Sequence, residues 1–168
     1  VSGTAERTAL FPLRAVGAVA AAGFAGTLLR YGLFLAFDGS NGPLASGAAS
    51  LPWGTFTANI LGCLALGTLT GWWETAGRLH ASGTGTVRLA VAGGFLGSFT
   101  TFSAVAVVLP IATLSGAGDV WLLFLYTMLT ALSACAAAGI GLLIGRKIEL
   151  ASRPELARDR KSDGTEGP

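Results

Sequence analysis

Four apolar runs, at about residues 13–37, 53–73, 87–114 and 120–145, are each long enough to cross a bilayer. A hydrocarbon core about 30 Å thick needs around 20 such residues in helical form. No other feature restricts the fold as strongly. Lipid supplies no hydrogen-bonding partner, and a helix satisfies its backbone within the segment. Only 12% of the residues are charged and 52% are hydrophobic, against about 25% charged in soluble domains. The sequence therefore predicts an all-α membrane protein of four transmembrane helices in one domain. A net charge of +2, scattered along the chain, argues against a nucleic-acid partner.

Arg7 and Arg14 precede AVGAVAAAGFAG as in a signal peptide, but the apolar stretch continues through LLRYGLFLAF. That exceeds a secretory h-region of about 7–15 residues, so it reads as a retained helix. The expected organisation is an N-terminal segment at 1–12, a four-helix transmembrane domain at 13–147 and a charged, disordered tail at 148–168. Turn-rich loops at 38–52, 74–86 and 115–119 separate the spans. Cys63 and Cys135 lie in apolar runs without CxxC spacing, which fits buried packing better than a disulfide or metal. His80 is the only histidine, excluding a zinc site built from several imidazoles.

Polar residues inside spans must pair or line water. In the second run Thr55, Asn59, Gly62, Leu66 and Thr70 share a stripe at helical spacing. Asn59 has two readings, an interhelical clasp worth about 1 kcal/mol or an amide donor facing a permeant anion. Arg30 follows Gly23 and Gly26 on one face of the first helix, where it suits a structural or interfacial role or an anion vestibule. Tyr126, Thr130 and Ser133 form a hydroxyl stripe in the fourth run, although Thr and Ser also bond their own backbone four residues back. Ala22-xxx-Gly26, Ala58-xxx-Gly62, Gly67-xxx-Gly71 and Gly141-xxx-Gly145 permit close helix approach. They predict a compact bundle whose pathway is narrow or lies between subunits.

The third run contains GGFLGSFTTFS at 93–103. Gly93, Gly94 and Gly97 weaken the helix, and Thr100 and Thr101 do little to restore it. Unwound backbone at membrane depth persists only where it is buried in protein or lines a cavity. Broken helices expose carbonyls and N–H groups suited to ions. A break with an ionic purpose is expected, with the hydroxyl of Ser103 beside the ring of Phe102.

This segment resembles the third-helix signature of the CrcB/Fluc family of fluoride channels. GFAGTLLRYGL in the first helix and WGTFTANILGCLALG in the second agree with it, and the likeness runs through about residues 14–147. The resemblance implies an antiparallel dimer of four-helix subunits, each with a broken third helix, and two narrow fluoride paths near the interface. It assigns Asn59 and the edge of the Phe102 ring to fluoride, with Tyr126, Thr130 and Ser133 as the fourth-helix track. It also implies a structural sodium ion at the dimer centre, held by carbonyls of Gly97 and Thr100 from both subunits. Where the family reads TTFSTF, this chain reads TTFSAV, so Val105 replaces a second ring. Either the subunit supplies part of a path or the path tolerates the loss.

The function implied is passive, fluoride-selective export from the cytoplasm, giving fluoride resistance. No GxxxxGK[ST] motif is present, and no enzymatic activity is expected. A proton-coupled small multidrug-type exporter shares the dimeric four-helix plan, but it needs a carboxylate inside the first helix, which contains Arg30 and no carboxylate, with Asp38 only at its end. An intramembrane serine protease, suggested by Gly97-Ser98, needs a membrane-embedded histidine, and His80 lies in a polar loop. A non-conducting structural subunit of a channel dimer is the remaining alternative. Arg7, Arg14, Arg78, Arg88, Arg146 and Lys147 all fall on one side of a four-span topology, while 38–52 and 115–119 contain no Lys or Arg. The positive-inside rule places both termini in the cytoplasm of a multi-pass cell-membrane protein. So strong a bias favours a heterodimer with an oppositely oriented paralogue over a dual-topology homodimer.

Overall fold

The computed structural model describes residues 13–39, 51–76, 85–101 and 120–152. The regular elements among them are all helical. They are α1 (Leu13–Asp38), α2 (Trp53–Thr75), the short α3 (Gly85–Arg88), a π-helical segment (Leu89–Leu96), α4 (Gly97–Phe99) and α5 (Val120–Ser152). Two of them, α1 and α5, are long and apolar enough to cross a membrane. Trp, Thr, Gly and Asn dilute the hydropathy of α2 below that standard, although it covers the 53–73 run in full.

These are not the core helices of a water-soluble protein. Only Ala15 and Gly26 of α1 are buried, while Phe24, Trp121 and Leu132 are 67%, 75% and 70% exposed. So much unpartnered apolar surface belongs against lipid or another protein, and the molecule is a membrane protein. α5 has 33 residues, about 50 Å at 1.5 Å per residue. It therefore outruns a hydrocarbon core and continues to Ser152, whereas the sequence reading begins a disordered tail at 148. Residues 148–152 are helical because the helix, once nucleated, passes into its charged turn at Lys147–Glu149 without a Gly or Pro to stop it.

Small residues set the packing. A Cβ at Gly67 or Gly71 of α2 would overlap the carbonyl oxygen of Ala138 or Leu142. Reciprocally, one at Gly141 or Gly145 of α5 would overlap that of Leu64 or Thr68. These pairings rise together along both helices, so α2 and α5 run parallel with their backbones in contact. α1 and the π-helical segment do likewise, since a Cβ at Gly26 would overlap the Phe95 carbonyl and one at Gly94 would lie 2.7 Å from the Val19 carbonyl. In lipid, where apolar burial gives little driving force between helices, such close approach is the main source of association.

α2 runs opposite to α1. Its first turn is fastened to the end of α1 by Asp38, whose Oδ2 accepts the Gly54 N–H at 3.0 Å. At the same end Tyr126 of α5 donates its hydroxyl to the Pro52 carbonyl at 2.7 Å. At the opposite end Arg146 pairs with Glu74 at 2.8 Å, and Arg88 lies over the Trp73 ring at 5.6 Å.

Candidate functional site at the helix break

The π-helical segment ends against α4, and the helix stops after Phe99. Thr100 has φ −84° and ψ 147°, an extended conformation. Its N–H still donates to the Leu96 carbonyl at 3.0 Å, and its Oγ1 donates to the same oxygen at 2.9 Å. The next amide does not continue the ladder. Thr101 N–H donates instead to Asn59 Oδ1 at 2.8 Å, and Asn59 Nδ2 donates to the Thr101 carbonyl at 2.9 Å.

Asn59 thus clamps one residue of the break by both its backbone groups. A donor faces Oδ1 and an acceptor faces Nδ2, so the amide orientation follows from the pairing itself. Asn59 is only 7% exposed, which makes the two bonds consequential, because a buried polar group without partners costs about 1–3 kcal/mol. Van der Waals contact supports the clamp one turn along α2. A Cβ at Gly62 would overlap Thr100 Cγ2 and lie 3.0 Å from Phe99 Cδ1.

The remaining expected site residues divide. Thr55 is buried beside Asn59 and Gly62 on the same face of α2, but Leu66 and Thr70 of that stripe are exposed. The buried face rotates because Gly67 and Gly71 turn toward α5. Thr70 bonds its own backbone at Leu66. Tyr126 and Thr130 are buried, with hydroxyl protons committed to the carbonyls of Pro52 and Tyr126. Ser133 lies one turn beyond at intermediate exposure. Arg30 is half-buried and forms no salt bridge among the described residues. Gly97 is exposed in the single chain, and Thr100 is half-buried. Phe102, Ser103 and Val105 lie outside the described residues.

Two participants were not singled out by sequence. Thr101 supplies only backbone to the clamp, and its one sequence signal was that a buried Asn59 requires a partner. Phe99, 4% exposed, lies against Gly62 and stacks on Phe95 with ring centroids 6.1 Å apart. It was indistinguishable from lipid-facing apolar neighbours. Among the described residues no cluster of three or more His, Cys, Asp or Glu could hold a metal ion.

The sequence profile described as CrcB-like protein, Camphor Resistance (CrcB), matches residues 17–142. The chain is 34% identical over 139 residues to a protein of Novosphingobium aromaticivorans named fluoride-specific ion channel FluC, covering 81% of this chain and 99% of that one. A protein of the same name from Hyphomonas neptunium is 42% identical over 98 residues, 58% of this chain and 72% of that one. Fluoride-specific ion channel FluC 1 of Natronomonas pharaonis is 41% identical over 93 residues, 55% of this chain and 66% of that one. With a profile match through all four described segments and near full-length agreement with one relative, the chain belongs to the CrcB family.

Proposed function

We propose that this chain forms a channel, not an enzyme, that passes fluoride down its electrochemical gradient. The observation that carries the reading is the buried Asn59 carboxamide fixed at a helix break, in a chain whose relatives are named fluoride-specific ion channels. Stripping a small anion of water costs tens of kcal/mol unless donors replace its hydration shell. An amide donor, hydroxyls and the positive edge of a ring such as Phe102 are suitable replacements. An inside-negative potential favours anion exit by about 2.3 kcal/mol per charge per 100 mV, so a passive path would lower cytoplasmic fluoride and give resistance to it.

The proposed assembly is an antiparallel dimer of four-span subunits, each with a broken third helix, in the cell membrane with the termini of this subunit in the cytoplasm. The alternating directions of α1, α2, the π-helical segment and α5 are compatible with four spans. A heterodimer with an oppositely biased paralogue reconciles the charge asymmetry with an antiparallel pair, and Val105 fits a subunit whose partner supplies the missing ring. Sodium at the dimer centre fits the residues present. The Gly97 carbonyl loses its helical donor because Thr101 N–H is taken by Asn59, and hard cations take oxygen ligands. Its charge would support the subunit interface. Arg30 serves a vestibule or a structural contact in this assembly.

The committed hydroxyls of Tyr126 and Thr130 leave their oxygen lone pairs, which do not attract an anion. The fourth-helix track therefore enters the proposal through Ser133 and through rotation of those hydroxyls. A multidrug-type exporter is less well supported, since the Asp38 carboxylate is engaged at the start of α2. Purified protein in anion-loaded liposomes, alone and with candidate partner chains, tests the reading with a fluoride electrode. Fluoride efflux far above chloride efflux is expected. Equal rates for both anions exclude a selective channel, and no flux with any partner favours a structural subunit.

A further inference from the structure

A regular α-helix pairs each N–H with the carbonyl four residues earlier. By that rule Thr101 N–H belongs to Gly97. It goes to Asn59 Oδ1 at 2.8 Å instead, while the preceding amide, Thr100 N–H, keeps its helical bond to Leu96. Among the described residues the ladder fails at this rung, whose donor a side chain of another helix has taken. Extended Thr100 turns the chain away, and the Asn59 Nδ2 bond to the Thr101 carbonyl at 2.9 Å holds it there.

Among the described residues, nothing at Gly97 itself explains the break. Gly97 has ordinary helical angles, φ −64° and ψ −31°. Among the described residues, a Cβ there would meet only the Ala92 carbonyl, at 3.5 Å. Neither backbone strain nor crowding by Gly97 pushes Thr101 off the helix. The competing acceptor on α2 does.

We infer that Asn59 is the positioning residue of the cation site. By taking the Thr101 N–H, it frees the Gly97 carbonyl to ligate a monovalent cation, without itself touching that cation. The inference rests on the sodium reading above and gives Asn59 a task distinct from contact with an anion. Without the side chain, the nearest acceptor for Thr101 N–H by helical geometry is the Gly97 oxygen. The helix then closes by one rung, and the cation loses a ligand although no ligand residue has changed.

Thermal unfolding of the purified full chain, with its partner if one is needed, reads this out independently of transport. A cation that binds only the folded state raises the melting temperature with the logarithm of its concentration. Sodium is compared with N-methyl-D-glucamine at constant ionic strength. Wild type is expected to melt higher in sodium, with a steady increment per tenfold step. Asn59→Leu, which preserves volume but neither donates nor accepts, is expected to lose that increment altogether. Thr101→Pro has no N–H to return to Gly97, and proline favours an extended residue before it, as Thr100 already is. It is expected to keep the sodium increment, and Asn59→Leu/Thr101→Pro to regain it.

If Asn59→Leu melts lower by the same amount at every sodium concentration, Asn59 is only a clasp and the inference falls. Loss of the increment in Thr101→Pro overturns it as well, even if Asn59→Leu cannot be purified folded. Absence of a sodium increment in wild type refutes the sodium reading, and the inference with it. Fluoride flux from wild-type liposomes then judges the channel reading separately.

Discussion

Gly62→Ala tests the contact on which the break depends. The added Cβ would overlap Thr100 Cγ2 and lie 3.0 Å from a Phe99 ring carbon. α2 cannot retreat, because Gly67 and Gly71 already hold its backbone against carbonyls of α5. Relief must come from Thr100, and moving it draws Thr101 away from Asn59. Overpacking costs about 1–3 kcal/mol, and weakening the two Asn59 bonds adds about 1 kcal/mol, so a loss of about 2–4 kcal/mol is expected. Thr100→Ser removes the methyl that the new Cβ meets and keeps the hydroxyl that donates to Leu96. Alone it should cost about 1 kcal/mol. In Gly62→Ala/Thr100→Ser much of the loss should be recovered, with a coupling of about 1–2 kcal/mol. Denaturant unfolding of all four proteins in one detergent gives the cycle, and efflux from liposomes reports whether the break still works. If Gly62→Ala is within about 0.5 kcal/mol of wild type, or the serine rescues nothing, the close approach of α2 to Thr100 is refuted.

Gly139 and Gly141 form a matched pair on α5. Among the described residues a Cβ at Gly139 meets nothing within 4 Å, whereas one at Gly141 would overlap the Leu64 carbonyl. In the same unfolding assay Gly139→Ala should be neutral or gain up to about 1 kcal/mol from helix propensity, while Gly141→Ala should lose several-fold more than that gain. Tyr126→Phe deletes the donor to the Pro52 carbonyl and should cost about 1–3 kcal/mol; with its hydroxyl rotating into the path, fluoride efflux per folded protein should fall as well, and unchanged efflux would remove Tyr126 from the path. Gly97→Ala should leave helicity by circular dichroism intact, since the added methyl lies 3.5 Å from its nearest neighbour among the described residues. If a second subunit meets this face, size-exclusion chromatography should show dimer converting to monomer; an unchanged dimer places the interface elsewhere.

Hydropathy made the extents of α1 and α2 legible, because lipid selects continuous apolar helices regardless of which neighbours they meet. Its reach ended with the fourth run. Leaving the bilayer does not end a helix, and α5 continues to Ser152 through charged residues without a Gly or Pro among them. Small-residue spacing anticipated close packing, and Gly67, Gly71, Gly141 and Gly145 are each used at a backbone contact. The glycines of the third run marked a weak helix, but not the π winding of Leu89–Leu96. Gly94 of that segment docks against Val19 and Ala22 of α1, a contact with no local trace. Hydroxyls on a stripe were visible, while the direction of each proton was not. Thr130 turns back onto the Tyr126 carbonyl, a choice made by the helix itself.

Asn59 carried two opposed readings in the sequence, clasp or anion donor, and the geometry removes the opposition. A carboxamide has two acceptor lone pairs and two N–H donors. Thr101 engages Oδ1 through its N–H and one Nδ2 proton through its carbonyl. Both ends of the amide are thereby tied to one residue, which fixes the plane of the group. The second Nδ2 proton points away from that contact and retains a defined direction. A donor that must meet a small, strongly hydrated anion loses effectiveness if it rotates freely, because preorganisation is what lets a fixed dipole replace water. The clasp therefore supplies the rigidity that an anion donor requires. It follows that Asn59→Gln, which carries the same amide on a longer and freer stem, should impair fluoride efflux more than it impairs folding. Efflux per folded protein at the wild-type rate would show that the orientation imposed by Thr101 has no part in conduction.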